Sequence, residues 1–157
     1  MKRVMFISST GGHLSELLQL KSMFDRYEFK LITEKVKSNM YLKDKYKGKV
    51  NYLVAGSKNT NKIVYPFKLL YNCFKSLFIY LKFHPDYIIT TGTHTAGPMC
   101  CLGKIFGSKV IYIETFANMH TKTATGRLVY PISDLFVVQW ESLTELYPEA
   151  KVGGWIY

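Results

Sequence analysis

The stretch Arg3-Val-Met-Phe-Ile-Ser-Ser-Thr-Gly-Gly-His-Leu-Ser-Glu-Leu-Leu18 decides the fold. Arg3 to Ser8 is a short apolar run, and Ser9-Thr10-Gly11-Gly12 interrupts it with the small residues of a tight turn. From His13 the period changes. Leu14, Leu17, Leu18 and Met23 recur at helical spacing, which predicts a helix of about ten residues. A strand that turns straight into a helix is the opening half of a βαβ unit.

The same alternation continues along the chain. Phe29–Thr33 and Val50–Val54 read as strands, separated by Lys35–Lys49, which holds six lysines against one acid and reads as a solvated connection with a helical turn. Gly56–Lys62 is a polar loop. Asp86–Thr90, Lys109–Ile113 and Leu135–Val138 are further strands, followed by helices near Gly97–Phe106, Thr123–Pro131 and Glu141–Leu146. Val152–Ile156 is expected as a last edge strand. Near-continuous apolar strands with helices between them specify a parallel sheet covered on both faces. Right-handed crossovers then give an α/β, doubly wound, Rossmann-like domain spanning residues 1–157. Ligands of such sheets bind at the carboxyl ends of the strands, so the loops there hold the candidate site.

Composition narrows the function. Of 21 cations only Arg3, Arg26 and Arg127 are arginines; the other 18 are lysines, set against 11 acids for a net charge of +10. Lysines act as point charges at anionic surfaces, whereas bidentate reading of phosphates and bases favours arginine. A nucleic-acid partner is therefore not expected, and no basic helix or RNP-like aromatic motif supports one. Three cysteines (Cys73, Cys100, Cys101) form no disulfide framework and no zinc spacing. The first residues are too short an apolar run for a signal peptide. No metal and no cofactor is expected: G-x-G-x-x-G and the P-loop are both missing, and Glu34 lies in a lysine-rich loop, out of place for an adenosine ribose.

Two glycine loops follow strands. Gly11, Gly12 and His13 place backbone N–H groups at a helix start, a generic anion cradle that also suits plain tight packing. Thr91, Gly92, Thr93 and His94 form a second, hydroxyl-rich turn before a helix with Pro98 in its first turn. Together they suit a diphosphate; Thr91, Thr93 and Thr95 equally suit a helix cap. His13 is a candidate general base or phosphate contact. Glu114, an acid ending an apolar strand, is a candidate base or sugar-hydroxyl acceptor, or the partner of a loop lysine. His84 and His120 have no motif around them.

Residues 63–83 match a spanning helix in length, but Lys68, Lys75 and Lys82 argue against insertion, since a central lysine costs roughly 2.5–3.5 kcal/mol. The lysines recur every seven residues and are expected to share a stripe with Asn72 and Ser76. Phe74 and Phe78 belong to a broad aromatic face beside it. This amphipathic segment fits an interfacial helix at an anionic membrane surface, or a partner-facing one.

Taken together, Ser9-Thr-Gly-Gly-His-Leu-Ser-Glu16, Thr90-Thr-Gly-Thr93 with Gly97-Pro98, Tyr112-Ile-Glu-Thr115, Gly126–Asp134 and Val138-Gln-Trp-Glu141 carry a resemblance over nearly the whole chain. The chain resembles bacterial PssD/CpsF-type polysaccharide-biosynthesis proteins. Their eukaryotic counterpart is the membrane-anchoring subunit of the two-part N-acetylglucosaminyltransferase of dolichol-linked oligosaccharide synthesis. The resemblance implies the amino-terminal half of a GT-B glycosyltransferase, with Gly11, Gly12, Thr91, Gly92, Thr93 and His94 at an acceptor diphosphate and His13 or Glu114 activating the acceptor hydroxyl. It further implies a separate donor-binding subunit, a polyprenyl-diphosphate-linked sugar as acceptor in capsule or exopolysaccharide synthesis, and a place at the cytoplasmic face of the membrane. Without a spanning helix at its amino end, attachment falls to Lys68, Phe74, Lys75, Phe78 and Lys82. Trp155, Ile156 and Tyr157 are expected to meet the partner. A second reading keeps the partner and drops the chemistry: a recruiter that anchors and stabilises the true transferase.

Overall fold

The computed structural model describes residues 1–56, 63–93 and 95–156; much of the loop expected at 56–62, together with His94 and Tyr157, lies outside them. Seven strands form one parallel sheet in the order β3-β2-β1-β4-β5-β6-β7. They are β1 (Arg3–Ser8), β2 (Glu28–Glu34), β3 (Val50–Leu53), β4 (Tyr87–Gly92), β5 (Lys109–Ile113), β6 (Leu135–Val138) and β7 (Lys151–Val152). The helices are α1 (Gly12–Gln19), α2 (Tyr41–Lys45), α3 (Val64–Phe83), α4 (Ala96–Phe106) and α5 (Ala124–Val129). This is a Rossmann-like, doubly wound fold. The order reverses between β1 and β4, whose carboxyl ends therefore open onto the crevice where such sheets bind ligands.

Strand periodicity sorts the core into two layers. Val4 and Phe6 of β1 point to one face and pack with Leu14, Leu17, Phe24 and Leu31; Met5 and Ile7 point to the other and pack with Ile79, Tyr80, Met99 and Val129. Thus α1 covers one face, and α3, α4 and α5 cover the opposite one.

Several local expectations are corrected. Glu141–Glu145 winds as a 3-10 turn, not an α-helix, and α1 passes into a 3-10 segment at Leu20. The helix read at Thr123–Pro131 is α5 capped by the Thr123 hydroxyl, which accepts the Gly126 N–H, with Pro131 in a following 3-10 turn. The expected edge strand Val152–Ile156 shrinks to Lys151–Val152, because the Gly153 N–H still reaches the Val138 carbonyl but Gly154, at φ 63°, turns the chain away.

The largest correction concerns α3. Asn72 and Ser76 do not lie on an outward stripe; both are buried against the sheet with Ile79, Tyr80 and Phe83. Asn72 has a reason to be inside. Its Oδ1 accepts the Val54 N–H at 2.9 Å and its Nδ2 donates to the Val54 carbonyl at 2.8 Å, satisfying backbone groups just past β3. Lys68 and Lys75 are half-buried on one flank, with the Lys75 Nζ 5.6 Å from the Tyr71 ring centre, and Lys82 is exposed. The outward face is the aromatic one that carries Phe74 and Phe78: Phe67, Phe74 and Phe78 are each about two-thirds exposed (69%, 66% and 68%), with Leu70, Tyr71 and Leu81 beside them. No helix among the described residues is long and apolar enough to cross a membrane.

Candidate functional site

The turn after β1 is shaped by Gly11, whose φ of 77° with ψ of −140° belongs to glycine. A side chain at Gly11 or Gly12 would meet nothing within 4 Å, so the start of α1 faces open space and its first N–H groups are approachable. The turn after β4 lies beside it. The Ser9 N–H donates to the Gly92 carbonyl at 2.9 Å. Gly92 has φ 91° and a cis peptide to Thr93, and a Cβ there would come within 3.1 Å of the Tyr112 hydroxyl.

His13 and Thr91 bind each other reciprocally. The His13 Nδ1 lies 2.8 Å from the Thr91 carbonyl, and the Thr91 hydroxyl donates to the His13 carbonyl at 2.7 Å. A carbonyl can only accept, so Nδ1 carries a proton, and in the neutral ring the lone pair is on Nε2, the tautomer a general base needs. The expected diphosphate role of the Thr91 side chain is corrected accordingly: it is fully buried and engaged with His13. Thr93 is half-buried at the loop, and its carbonyl accepts the Ala96 N–H at 2.8 Å. Thr95 occupies the cap position of α4 without a side-chain cap bond, so the capping alternative does not hold there. His94 lies outside the described residues.

Glu114 ends β5 fully buried. Its carboxylate accepts the Thr115 N–H at 3.0 Å, the Thr123 hydroxyl at 2.9 Å and the Tyr147 hydroxyl at 3.4 Å, so the loop-lysine alternative gives way to an internal network. Burial pushes this carboxyl above its ordinary value, against those hydrogen bonds and the nearby His13, which favour the charged form. Burial and the Glu114 charge in turn push the Tyr147 hydroxyl up to about 12. The Tyr112 hydroxyl, 3.4 Å from that of Thr123, links this network to the Gly92 turn.

Two acids escaped the sequence reading. Glu34 is not a loop residue: it closes β2, is buried, and its carboxylate accepts the Gly56 N–H at 3.2 Å and the Thr10 N–H at 3.4 Å, bracing the first glycine turn. Glu16 accepts the Thr115 hydroxyl at 2.7 Å and the Phe116 N–H at 3.0 Å, and its other oxygen is 3.8 Å from the His13 Nδ1. Spacing of three from His13 on α1 was the available signal for Glu16, since such pairs share a helix face. Nothing local pointed to Thr123 or Tyr147.

Beyond β5, Trp140 donates its indole N–H to the Phe116 carbonyl at 2.8 Å, and Phe116 meets the Trp155 ring edge-on at 5.6 Å. Trp155 is nonetheless 75% exposed, and the Ile156 N–H reaches the Gln139 side chain at 3.3 Å. Tyr157 lies outside the described residues. Among the described residues, no three His, Cys, Asp or Glu side chains group as metal ligands would. The site thus offers approachable helix N–H groups for an anion and a tautomerically fixed imidazole, backed by a buried acid network.

The chain is similar to several known proteins. Residues 54–156 match the family described as oligosaccharide biosynthesis protein Alg14 like. The chain is 26% identical to the UDP-N-acetylglucosamine transferase subunit ALG14 of Kluyveromyces lactis, covering 96% of this chain and 77% of that one. It is 25% identical to the mouse subunit of the same name, covering 97% of this chain and 82% of the other. Among solved structures, MurG of Acinetobacter baumannii superposes with a TM-score of 0.72 at 16% identity, over 90% of this chain but only 43% of MurG. That likeness is one of fold.

Proposed function

Because the chain belongs to the Alg14-like family of oligosaccharide biosynthesis proteins, we propose that it is the acceptor-side subunit of a two-part, inverting glycosyltransferase. The relatives are named as subunits of a UDP-N-acetylglucosamine transferase, which supports a separate donor-binding subunit and UDP-N-acetylglucosamine as donor. The acceptor is a polyprenyl-diphosphate-linked sugar, and a bacterial capsule or exopolysaccharide is the product we assign to it. Gly11, Gly12 and the Gly92-Thr93 turn receive the diphosphate, and His13 takes the proton of the acceptor hydroxyl. Glu114, enclosed by its own hydrogen bonds, shapes the site from behind, so of the two candidate bases His13 is preferred. The observation that carries this reading is the clamp of His13 Nδ1 on the Thr91 carbonyl beside the open start of α1.

The outward aromatic face of α3, with Lys68, Lys75 and Lys82 flanking it or at its edge, supports peripheral attachment to the cytoplasmic face of an anionic membrane. An open apolar groove of about 350 Å³ between α3, α4 and α5, lined by Leu69, Cys73, Pro98, Cys101 and Leu128, suits the first isoprene units of the acceptor. Exposed Trp155, with Ile156 beside it, is the surface assigned to the partner subunit.

The test is transfer of labelled sugar from UDP-N-acetylglucosamine to a polyprenyl-diphosphate-linked acceptor by the chain with its donor-binding partner. His13→Gln should lower kcat by roughly 10²–10⁴. Full transfer by that variant sinks the assignment of the base. Transfer by the partner alone, merely stimulated by this chain, establishes the recruiter instead.

A further inference from the structure

We infer that Glu16 is a positioning residue for the transfer step proposed above, on which this inference rests: it holds the charge that His13 acquires when it takes the acceptor's proton. The two oxygens of Glu16 are differently engaged. Oε1 accepts the Thr115 hydroxyl at 2.7 Å and the Phe116 N–H at 3.0 Å, fixing the carboxylate from α1 across to the loop after β5. Oε2 is buried, has no hydrogen-bond donor among the described residues, and lies 3.8 Å from the His13 Nδ1. A buried carboxylate oxygen without a donor is unfavourable in the resting protein. It becomes favourable once an imidazolium stands beside it, in a setting where the two side chains are only 14% and 24% exposed and water screens little.

The geometry separates two roles. The Nδ1 proton is directed at the Thr91 carbonyl, which sets the ring's orientation, so Glu16 acts on the ring as a charge and not as its hydrogen-bond acceptor. The other titratable groups near His13 are Glu114 and Tyr112 of β5. Burial drives both toward their neutral forms. In the step itself the acceptor oxygen bonds to the anomeric carbon of the nucleoside-diphosphate sugar. The bond from that carbon to the diphosphate oxygen breaks, and its electron pair leaves with the nucleoside diphosphate. The acceptor's hydroxyl proton moves to Nε2 of His13, whose Nδ1 lies 3.8 Å from the Glu16 carboxylate.

The deciding experiment follows the ring nitrogens of His13 by NMR across pH in the isolated full chain, with the resonance identified by its loss in His13→Gln. Glu16→Gln preserves the acceptor for Thr115 and Phe116 but removes the charge, and should move the His13 midpoint to lower pH by roughly half a unit or more. Thr115→Val removes one of the strap's two bonds and keeps the charge, and should leave the midpoint in place. Glu16→Asp, which retains the charge, should titrate above the Gln variant. In the reconstituted transferase, Glu16→Gln should lower kcat about tenfold with KM unchanged and shift the acid limb of kcat to lower pH. An unmoved midpoint in Glu16→Gln, or an equal shift in Thr115→Val, overturns the inference and leaves Glu16 as a structural strap. If the wild-type pair transfers no sugar, the proposed function fails, while the titration still decides whether Glu16 and His13 are coupled.

Discussion

The side-chain amide of Asn72 closes both backbone groups of Val54, accepting its N–H at 2.9 Å and donating to its carbonyl at 2.8 Å. One residue in the middle of an amphipathic helix thereby seals the end of an edge strand. Asn72→Ala removes both bonds and leaves buried polar atoms unpaired, so it should destabilise the fold by about 1–3 kcal/mol. Asn72→Leu should do no better despite its apolar bulk. Urea unfolding of the isolated chain measures both.

Gly126, on α5, sits against the acid network. A Cβ there would come within 2.4 Å of the Tyr147 hydroxyl, 2.6 Å of a Glu114 oxygen and 2.7 Å of the Thr123 hydroxyl. Gly126→Ala should therefore cost about 1–3 kcal/mol even though alanine favours helices. Thermal unfolding is the check; a stabilised variant would mean the network has room to give.

Glu114 makes stability depend on pH in an unusual direction for an acid. Its folded-state value is raised above the ordinary 4.5 by burial. The folded protein therefore binds a proton more tightly there than the unfolded chain does. The favourable contribution is complete below about 4.5 and is lost as pH rises through the raised folded value. Asp86, held low by the Arg3 backbone N–H, and Asp134, held low by the Lys109 ammonium and the Val110 backbone N–H, act in the opposite sense, so the informative quantity is a difference. Glu114→Gln should gain stability relative to wild type as pH climbs above the ordinary carboxylate range. Melting temperatures of the two proteins from pH 4 to 8 test this.

The outward aromatics of α3 should be dispensable for folding and needed for attachment. Covering a phenylalanine is worth roughly 1.5–3 kcal/mol, so Phe74→Ser with Phe78→Ser should weaken pelleting with anionic liposomes at least about tenfold. Unfolding of the isolated chain should change little, because both side chains are already solvated. Unchanged pelleting would assign the face to a protein partner.

Six of the seven strands were legible because each is an apolar run ending in a turn. Their spatial order was not, since the pairing of β1 with β4 depends on crossovers and not on local sequence. On α3 the outward aromatic face with Phe74 and Phe78 was legible, but the stripe expected to join Asn72 and Ser76 to the lysines is not one face. Polar Asn72 and Ser76 were read as solvated, and only the neighbouring backbone of Val54 shows why an amide belongs inside. Glu141–Glu145 has helical composition but closes as a 3-10 turn. At the site, the loops holding Gly11, Gly12 and Gly92 were legible from glycine placement. The use of Thr91 as a clamp was not, nor was the tie from Glu16 to Thr115, which joins residues 99 apart in sequence.

Three hydrogen bonds fasten the turn after β1 to the turn after β4: Ser9 to Gly92, and His13 to Thr91 in both directions. The two turns therefore behave as one rigid body whose ordering entropy is charged to folding and not to binding. An anion entering this crevice meets a cradle already in its final shape, so little ordering is left for binding to supply.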